Sequence, residues 1–145
     1  LQGLRTSQGA TVGNDVVTGR WTYVVFDNGS CHQDCEQQLY LTRQTRLAMN
    51  KDVSRVQRLL IFSASPSGRL VERLREAHPD LTWVVGDADV SNGLNAFRGE
   101  GFSPTGGQYF LVDPLGNLMM VYDLQVPPRG LMKDLQKLLK ISQVG

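Results

Sequence analysis

Residues 109–122 read YFLVDPLGNLMMVY and decide the fold class. Two apolar runs, Tyr109–Val112 and Leu118–Tyr122, flank the turn DPLGN, in which Pro114 fixes φ and Gly116 can take a positive φ. A turn this short joins antiparallel strands, because parallel strands need a much longer crossover connection. The stretch therefore predicts a late β-hairpin and argues against a fully parallel, doubly wound sheet.

Upstream of the hairpin, strand and helix patterns alternate. We predict strands at Trp21–Phe26, Leu59–Phe62 and Leu81–Val85, helices at Glu36–Met49, Ser67–Ala77 and Arg129–Lys140, and a helical turn at Asn92–Arg98. In the first helix, Tyr40, Leu47 and Ala48 recur at helical spacing. Residues 1–14 show no periodicity and are assigned no regular structure, only a flexible lead-in. The order of elements is that of a thioredoxin-like α/β fold, a single domain over residues 1–145 with a central mixed sheet and flanking helices.

The charge balance and the lengths of the apolar runs argue against nucleic acid binding and against a membrane span within this sequence. The chain has 145 residues, with 15 Lys and Arg against 14 Asp and Glu. This near balance gives no reason to expect a nucleic acid partner. The sequence contains no apolar run long enough to span a membrane. Because the first residue is Leu1 and not Met, we expect an upstream leader or membrane anchor that is missing from this chain.

The candidate reactive groups are two cysteines, Cys31 and Cys35, where the first strand passes into a helix. The unpaired N–H groups and the dipole of a helix N-terminus favour a thiolate at that place. Residues four apart on a helix lie close together, so modest unwinding would allow either a disulfide or a soft metal ion between the two sulfurs. The alternative is a pair of inert buried thiols. Polar neighbours favour an accessible, functional pair.

Other polar residues near the turn have several interpretations. His32 is a candidate metal ligand or thiolate partner, and also a candidate for an exposed turn residue with neither role. Asp34 and Glu36 suit the first turn of a helix, where negative charge is favourable. His78, which precedes Pro79 at a helix end, is assigned no role.

The motifs resemble those of the Sco/SenC family. The resemblance rests on GRWTYVVF at 19–26 followed by the C-x-x-x-C turn, on LLIFSASP at 59–66 and on YFLVDPLG at 109–116, and it extends from about Gly19 to the end of the chain. Members of that family are membrane-tethered thioredoxin-fold proteins that face the periplasm or the mitochondrial intermembrane space. They bind copper and assist assembly of the copper centre of cytochrome c oxidase.

The resemblance has implications for the site. The family places Pro and Asp after the first cysteine, where this chain has His32 and Gln33, and it supplies a third copper ligand from a histidine near the position of Pro104. No histidine follows His78. The chain thus lacks that ligand, and copper(I) held by Cys31 and Cys35, with His32 as a possible third ligand, is favoured over copper(II). Ser103-Pro104-Thr105 also resembles the cis-proline segment that faces the thiols in thioredoxin-fold redox proteins.

Three functions are compatible with these features. The first is a Sco-like thiol–disulfide redox protein, and if an enzyme then a thiol–disulfide oxidoreductase, in which Cys31 attacks, Cys35 resolves and Pro104 faces them. The second is a copper(I) carrier that uses the same sulfurs, and the third is an assembly scaffold without turnover. The resemblance implies a cytochrome c oxidase subunit or another copper or thiol protein as the partner. It also implies a location on the periplasmic side of a bacterial inner membrane.

Overall fold

The computed structural model describes residues 19–86 and 107–142, together with the backbone of two short strands at residues 4–5 and 11–12. The strands are β1 (Leu4–Arg5), β2 (Thr11–Val12), β3 (Trp21–Asp27), β4 (Val56–Phe62), β5 (Thr82–Gly86), β6 (Tyr109–Val112) and β7 (Leu118–Tyr122). The helices are α1 (Gln33–Leu47), α2 (Gly68–Ala77) and α3 (Pro128–Ile141), and a 3-10 helix (Asn50–Arg55) precedes β4.

The described strands form one mixed sheet in the order β2-β1-β5-β4-β3-β6-β7. Strand β4 pairs in parallel with both β3 and β5, and the two crossovers contain α1 and α2. Strands β6 and β7 are antiparallel to their neighbours. This is the predicted thioredoxin-like architecture, with the mixed sheet at its centre and helices against it.

The late hairpin is confirmed with the predicted strand bounds. Its turn is held by the Asp113 side chain, which accepts hydrogen bonds from the backbone N–H groups of Leu115 and Asn117. Gly116 has a φ of 91°, the left-handed region that glycine enters without steric cost. The turn residues therefore fix the hairpin locally, as the sequence indicated.

The helix-covered face of the sheet carries the larger part of the core. Trp21, Tyr23 and Val25 of β3 are buried there together with leucines from all three described helices. Leu70 and Leu74 of α2, and the buried leucines of α3, lie on the stripes that the sequence predicted. A second cluster on the opposite face is centred on Val24 and its strand neighbours. Both faces of the central strands are thus buried, which explains the continuous apolar run in β4.

Helix α1 packs by a different face from the one that its apolar spacing suggested. Tyr40 and Leu47 are 52% and 54% exposed. The buried face contains Cys35 and Leu39 together with polar residues, namely Gln38, Thr42 and Thr45. The hydroxyls of both threonines donate to backbone carbonyls within the helix. Because their polar groups are satisfied locally, these residues can replace apolar ones on the buried face.

Two short strands, β1 and β2, lie in the stretch 1–14, to which the sequence pattern assigned no regular structure. Strand β1 pairs antiparallel with β5, and β2 pairs with β1. Backbone pairing at a sheet edge needs no alternating apolar pattern, and this explains why the polar sequence gave no strand signal. The predicted helical turn at Asn92–Arg98 lies outside the described residues.

Candidate functional site

The loop that follows β3 sets the position of the first cysteine. One carboxylate oxygen of Asp27, Oδ2, accepts the backbone N–H groups of Gly29 at 2.9 Å and Cys31 at 2.8 Å. Gly29 has a φ of 112°, and a Cβ on it would lie 2.7 Å from the carbonyl oxygen of Ala64. The tight loop therefore needs glycine at this position, both for its conformation and for its close approach to the segment after β4.

Cys31 itself has a positive φ of 46°, an uncommon conformation for a residue with a side chain. The hydrogen bond from its N–H to Asp27 holds it there. His32 is the N-cap of α1, and Cys35 lies within the first turn of the helix. Cys31 is thus outside the helix, just before its start, whereas the sequence argument placed both cysteines on one helix face.

The two cysteines are joined by a disulfide, with their Cα atoms 4.9 Å apart. The left-handed backbone at Cys31 allows this approach without unwinding α1. The predicted pairing of Cys31 with Cys35 is therefore present in the structure.

The prediction that Cys31 is accessible is wrong for this disulfide-bonded form. The exposed fraction is 2% for Cys31 and 5% for Cys35, and both belong to the core cluster beneath α1. The flanking side chains of His32, Gln33 and Asp34 are exposed. Polar neighbours in the sequence did not expose the thiols because the turn directs the cysteines inward and its polar side chains outward.

A cavity of about 160 Å³ lies beside the disulfide, between α1 and α2. Cys31 contributes to its wall, with Leu39, Leu74 and Ala77 as apolar neighbours. The cavity gives a reactant of a few heavy atoms a place next to Cys31.

Two charged side chains, Arg73 and Glu36, also line this cavity. Nη2 of Arg73 lies 2.9 Å from a carboxylate oxygen of Glu36 and donates to the carbonyl oxygen of Cys31 at 3.4 Å. Both side chains are about half exposed. The ion pair therefore joins α1 to α2 next to the disulfide.

The structure does not group His32 with the two cysteines as a metal site. Within residues 19–86 and 107–142, no three His, Cys, Asp or Glu side chains are close enough together to hold a metal ion. The sulfurs are buried whereas His32 is exposed. The candidate metal ligands are thus the two sulfurs of the disulfide, which become available only after reduction. Two thiolates without a nitrogen ligand suit copper(I) better than copper(II). Pro104, the other predicted site residue, lies outside the described residues.

The sequence analysis missed a buried arginine, Arg58, in the middle of β4. It is 1% exposed, and each of its guanidinium nitrogens has a partner. Nε and Nη2 donate to the two carboxylate oxygens of Asp80 at 2.9 and 2.7 Å, and Nη1 donates to the carbonyl oxygen of Leu39 at 2.9 Å. Nη2 also lies 3.1 Å from Nδ1 of His78. Arg58 therefore links the sheet, the first helix and the segment after α2.

The pKa values of two groups in this network are shifted. Burial, together with the positive charges of Arg58 and Arg43, lowers the pKa of His78 to about 4. Burial by itself would raise the pKa of Asp80, but the hydrogen bonds and charge of Arg58 outweigh it and hold that pKa below its ordinary value. At neutral pH His78 is thus neutral, and Asp80 is ionised against Arg58.

A sequence signal for Arg58 did exist. Val56, Arg58, Leu60 and Phe62 alternate along β4, and alternate residues of a strand point to the same face. An arginine in register with three buried apolar residues indicates a buried charge that needs an acid partner. The predicted strand begins at Leu59 and leaves Arg58 in the charged stretch before it, whereas β4 begins at Val56, so the prediction does not include this residue in the strand.

The fold and the disulfide define a class of protein: a thioredoxin-like domain with a C-x-x-x-C disulfide at the start of its first long helix. The chain belongs to the family described as transmembrane-like, thioredoxin-like, C-terminal domain, whose model matches residues 21–142. No curated protein matches the sequence. Among the helices in the described part of the chain, none has both the length and the apolar character of a membrane span.

Solved structures with the same fold include several Sco proteins. Yeast Sco1 with copper bound aligns with a TM-score of 0.77 at 18% identity, over 97% of this chain and 91% of that one. Copper-bound ScoI of Bradyrhizobium japonicum aligns with a TM-score of 0.67 at 20% identity, over 94% and 96%. The thioredoxin domain of a thiol-disulfide oxidoreductase from Bacteroides vulgatus aligns with a TM-score of 0.60 at 17% identity, over 94% and 91%. The predicted likeness to the Sco/SenC family is confirmed in the fold.

Proposed function

We propose that this domain is a Sco-like thiol–disulfide redox protein that works through the Cys31–Cys35 pair. The observation that carries the proposal is the disulfide itself, formed across the start of α1 with Cys31 beside a cavity. A disulfide between residues so close in sequence closes only a small loop, so it adds little to stability as a cross-link. Reversible redox chemistry accounts for the pair better than a structural role does.

The position of the pair suits the chemistry of a thiolate. On reduction, the unpaired backbone N–H groups and the dipole at the start of α1 stabilise negative charge on sulfur. Glu36 opposes this effect, and its ion pair with Arg73 offsets part of its charge. Cys31 lies outside the helix and lines the cavity, whereas Cys35 is held within the first turn. We therefore assign attack to Cys31 and resolution to Cys35.

The proposed exchange balances as follows. The Cys31 thiolate attacks one sulfur of a partner disulfide, a mixed disulfide forms, and the other partner sulfur leaves as a thiolate. The Cys35 thiolate then attacks the sulfur of Cys31, restores the intramolecular disulfide and releases the second partner thiolate. The partner is reduced by two electrons and the domain is oxidised by two. Pro104 is proposed to face the two sulfurs during this exchange.

The proposed biological role is assistance in assembly of the copper centre of cytochrome c oxidase. The shared fold with Sco proteins of yeast, Bradyrhizobium japonicum and Arabidopsis thaliana supports this role. The partner would be an oxidase subunit or another copper or thiol protein. The family description as a transmembrane-like C-terminal domain, and the fold shared with a SCO1/SenC family lipoprotein of Bacillus anthracis, support a membrane-attached location. We place it on the periplasmic side of a bacterial inner membrane.

A second candidate is a carrier of copper(I) as cargo. Three of the structures that share this fold are of Sco proteins with copper bound. In this chain the reduced Cys31 and Cys35 would hold the ion in a two-coordinate manner, since thiolates suit copper(I). His32 would join them only if its side chain turned inward from its exposed position.

Thiol titration of the folded domain separates these functions. We expect no free thiol in the oxidised form, two after mild reduction, and return of the disulfide in a glutathione redox buffer. In a Cys35→Ser variant, the Cys31 thiolate should attack a disulfide probe such as oxidised glutathione, release one glutathione thiolate and remain trapped as the mixed disulfide. A disulfide that is reduced only under denaturing conditions would contradict the redox proposal.

Copper(I) competition against a chelator of known affinity tests the carrier. Binding of one ion per chain that is lost in both Cys31→Ser and Cys35→Ser would favour copper(I) transport over redox chemistry. If a chain lacking both cysteines still complements a deletion strain, the domain acts as a scaffold and both thiol-based functions are wrong.

A further inference from the structure

The cavity between α1 and α2 has two kinds of wall. Leu39, Leu74 and Ala77 form an apolar part, and Arg73 and Glu36 add opposite charges close to the disulfide. A volume of about 160 Å³ accommodates a group of several heavy atoms but not a bulky side chain with its backbone. Any thiol that reaches Cys31 through this cavity must therefore place its neighbouring atoms against these residues.

The two charged groups are not held equally firmly. Among the described residues, Arg73 has two polar contacts, one of 2.9 Å with the Glu36 carboxylate and a longer one of 3.4 Å with the backbone carbonyl oxygen of Cys31. The only ion pair or side-chain hydrogen bond of Glu36 among the described residues is the one with Arg73. An incoming carboxylate can displace Glu36 into solvent while Arg73 stays attached to the Cys31 carbonyl. An incoming cation would have to detach Arg73 from both partners.

We propose that this cavity is the subsite for the group that carries the incoming thiol, and that Arg73 makes it selective for thiols bearing a carboxylate. The inference rests on the proposed redox function and adds the chemical class of the thiol that returns the oxidised domain to its reduced form. The incoming thiolate attacks the sulfur of Cys31 and Cys35 leaves as a thiolate. A second thiol then attacks the mixed disulfide and frees Cys31, so that two thiols are oxidised to one disulfide and the domain gains two electrons. The ligand is a small thiol acid. Its carboxylate takes the place of Glu36 on the Arg73 guanidinium, and its apolar stem lies along Leu39 and Leu74.

The other polar groups in the described wall of the cavity do not offer a charge that would bind a carboxylate. His78 also lines the cavity, but its Nδ1 lies within hydrogen-bonding distance of Arg58, and a neutral imidazole adds no charge. The Asp27 carboxylate is engaged by the backbone of the loop before α1. Arg43 is nearby, since it donates to the carbonyl oxygen of Ala77 at 2.9 Å, but it does not line the cavity. Among the described residues that line the cavity, Arg73 is thus the one that carries a positive charge.

Reduction of the folded, oxidised domain by three small thiols tests the proposal. The probes are 3-mercaptopropionate, 2-mercaptoethanol and cysteamine, which are similar in size and carry a negative, a neutral and a positive group. The second-order rate is followed as release of free thiol from the protein and expressed relative to 2-mercaptoethanol. Comparing this ratio between variants cancels the different reactivities of the three thiols.

The expected results follow from the charges. In Arg73→Gln the ratio for 3-mercaptopropionate should fall by about threefold to fivefold, the scale of a partly exposed ion pair. In Glu36→Gln the same ratio should rise, because Arg73 no longer has a competing carboxylate. Both changes should shrink in high salt.

Arg75→Gln is the matched control. Arg75 lies on the same helix and also pairs at 2.9 Å with a glutamate, Glu72, but it does not line the cavity. Its substitution should leave the ratio unchanged. Equal ratios in the wild type and Arg73→Gln, or an equal change in Arg75→Gln, would refute the subsite while leaving the redox function intact. Failure of all three thiols to reduce the folded domain would instead refute the redox function, and the subsite with it.

Discussion

Removal of the Asp80 carboxylate is expected to cost more stability than any substitution at a surface ion pair of this domain. The Arg58 side chain is 1% exposed, and Asp80→Ala removes the carboxylate that accepts two of its hydrogen bonds. Breaking a buried pair in this way costs about 3 to 5 kcal/mol. Asp80 is itself 22% exposed, so water can partly replace it, and we expect a loss near the lower limit. For a domain of this size that corresponds to a fall in Tm of roughly 6 to 12 °C.

Denaturant unfolding followed by circular dichroism measures this loss directly. Glu72→Ala is the control, because its partner Arg75 is 69% exposed and the pair should contribute at most about 1 kcal/mol. The double variant Arg58→Met/Asp80→Ala should recover much of the stability, since it leaves no unpaired buried charge. A loss below about 1 kcal/mol in Asp80→Ala, or no recovery in the double variant, would show that the pair does not hold β4 to its neighbours.

Two further predictions concern buried polar groups. The free energy of unfolding should fall by about 1 to 2 kcal/mol as the pH is lowered from 6.5 to 4, because His78 is protonated in this range in the unfolded chain but not in the folded one. His78→Gln should remove this contribution to the pH dependence of stability. Tyr23→Phe should leave stability unchanged or raise it by about 1 kcal/mol, because the buried Tyr23 hydroxyl has no hydrogen-bond partner among the described residues. Tyr122→Phe should lower stability by a similar amount, because it removes the hydrogen bond to Asp134. If calorimetry shows equal effects in the two tyrosine variants, hydrogen bonding does not distinguish the two hydroxyls.

Much of the fold follows from local sequence patterns. The hairpin at residues 109–122 was predicted with its observed strand bounds, because a Pro and Gly turn between two apolar runs specifies both strands and their direction. Helix α2 was also predicted closely, since Ser67 caps its first turn and Leu70 and Leu74 repeat at helical spacing. Such signals depend on neighbours within a few residues.

The buried face of α1 could not be predicted in the same way. The apolar residues that marked its predicted face, Tyr40 and Leu47, are exposed, whereas the buried face combines Leu39 and Leu41 with the polar residues Gln38, Thr42 and Thr45. The burial of these polar residues depends on hydrogen bonds within the helix, and the position of the helix depends on two contacts with distant residues. Gln38 donates to the carbonyl of Gly107, and Arg58 donates to the carbonyl of Leu39. A pattern of apolar spacing contains no information about such long-range partners.

In the candidate site, too, some features follow from the local sequence and others depend on contacts between distant residues. The sequence alone determined the identity and spacing of Cys31 and Cys35, their place between a strand and a helix, and the lack of a histidine after His78. Only the tertiary structure decided that both sulfurs face the core, and that Arg73 of the second helix lies beside the first cysteine. The reason is physical: the strand-to-helix turn is specified by adjacent residues, whereas burial and ion pairing depend on how α2 and β4 pack against α1.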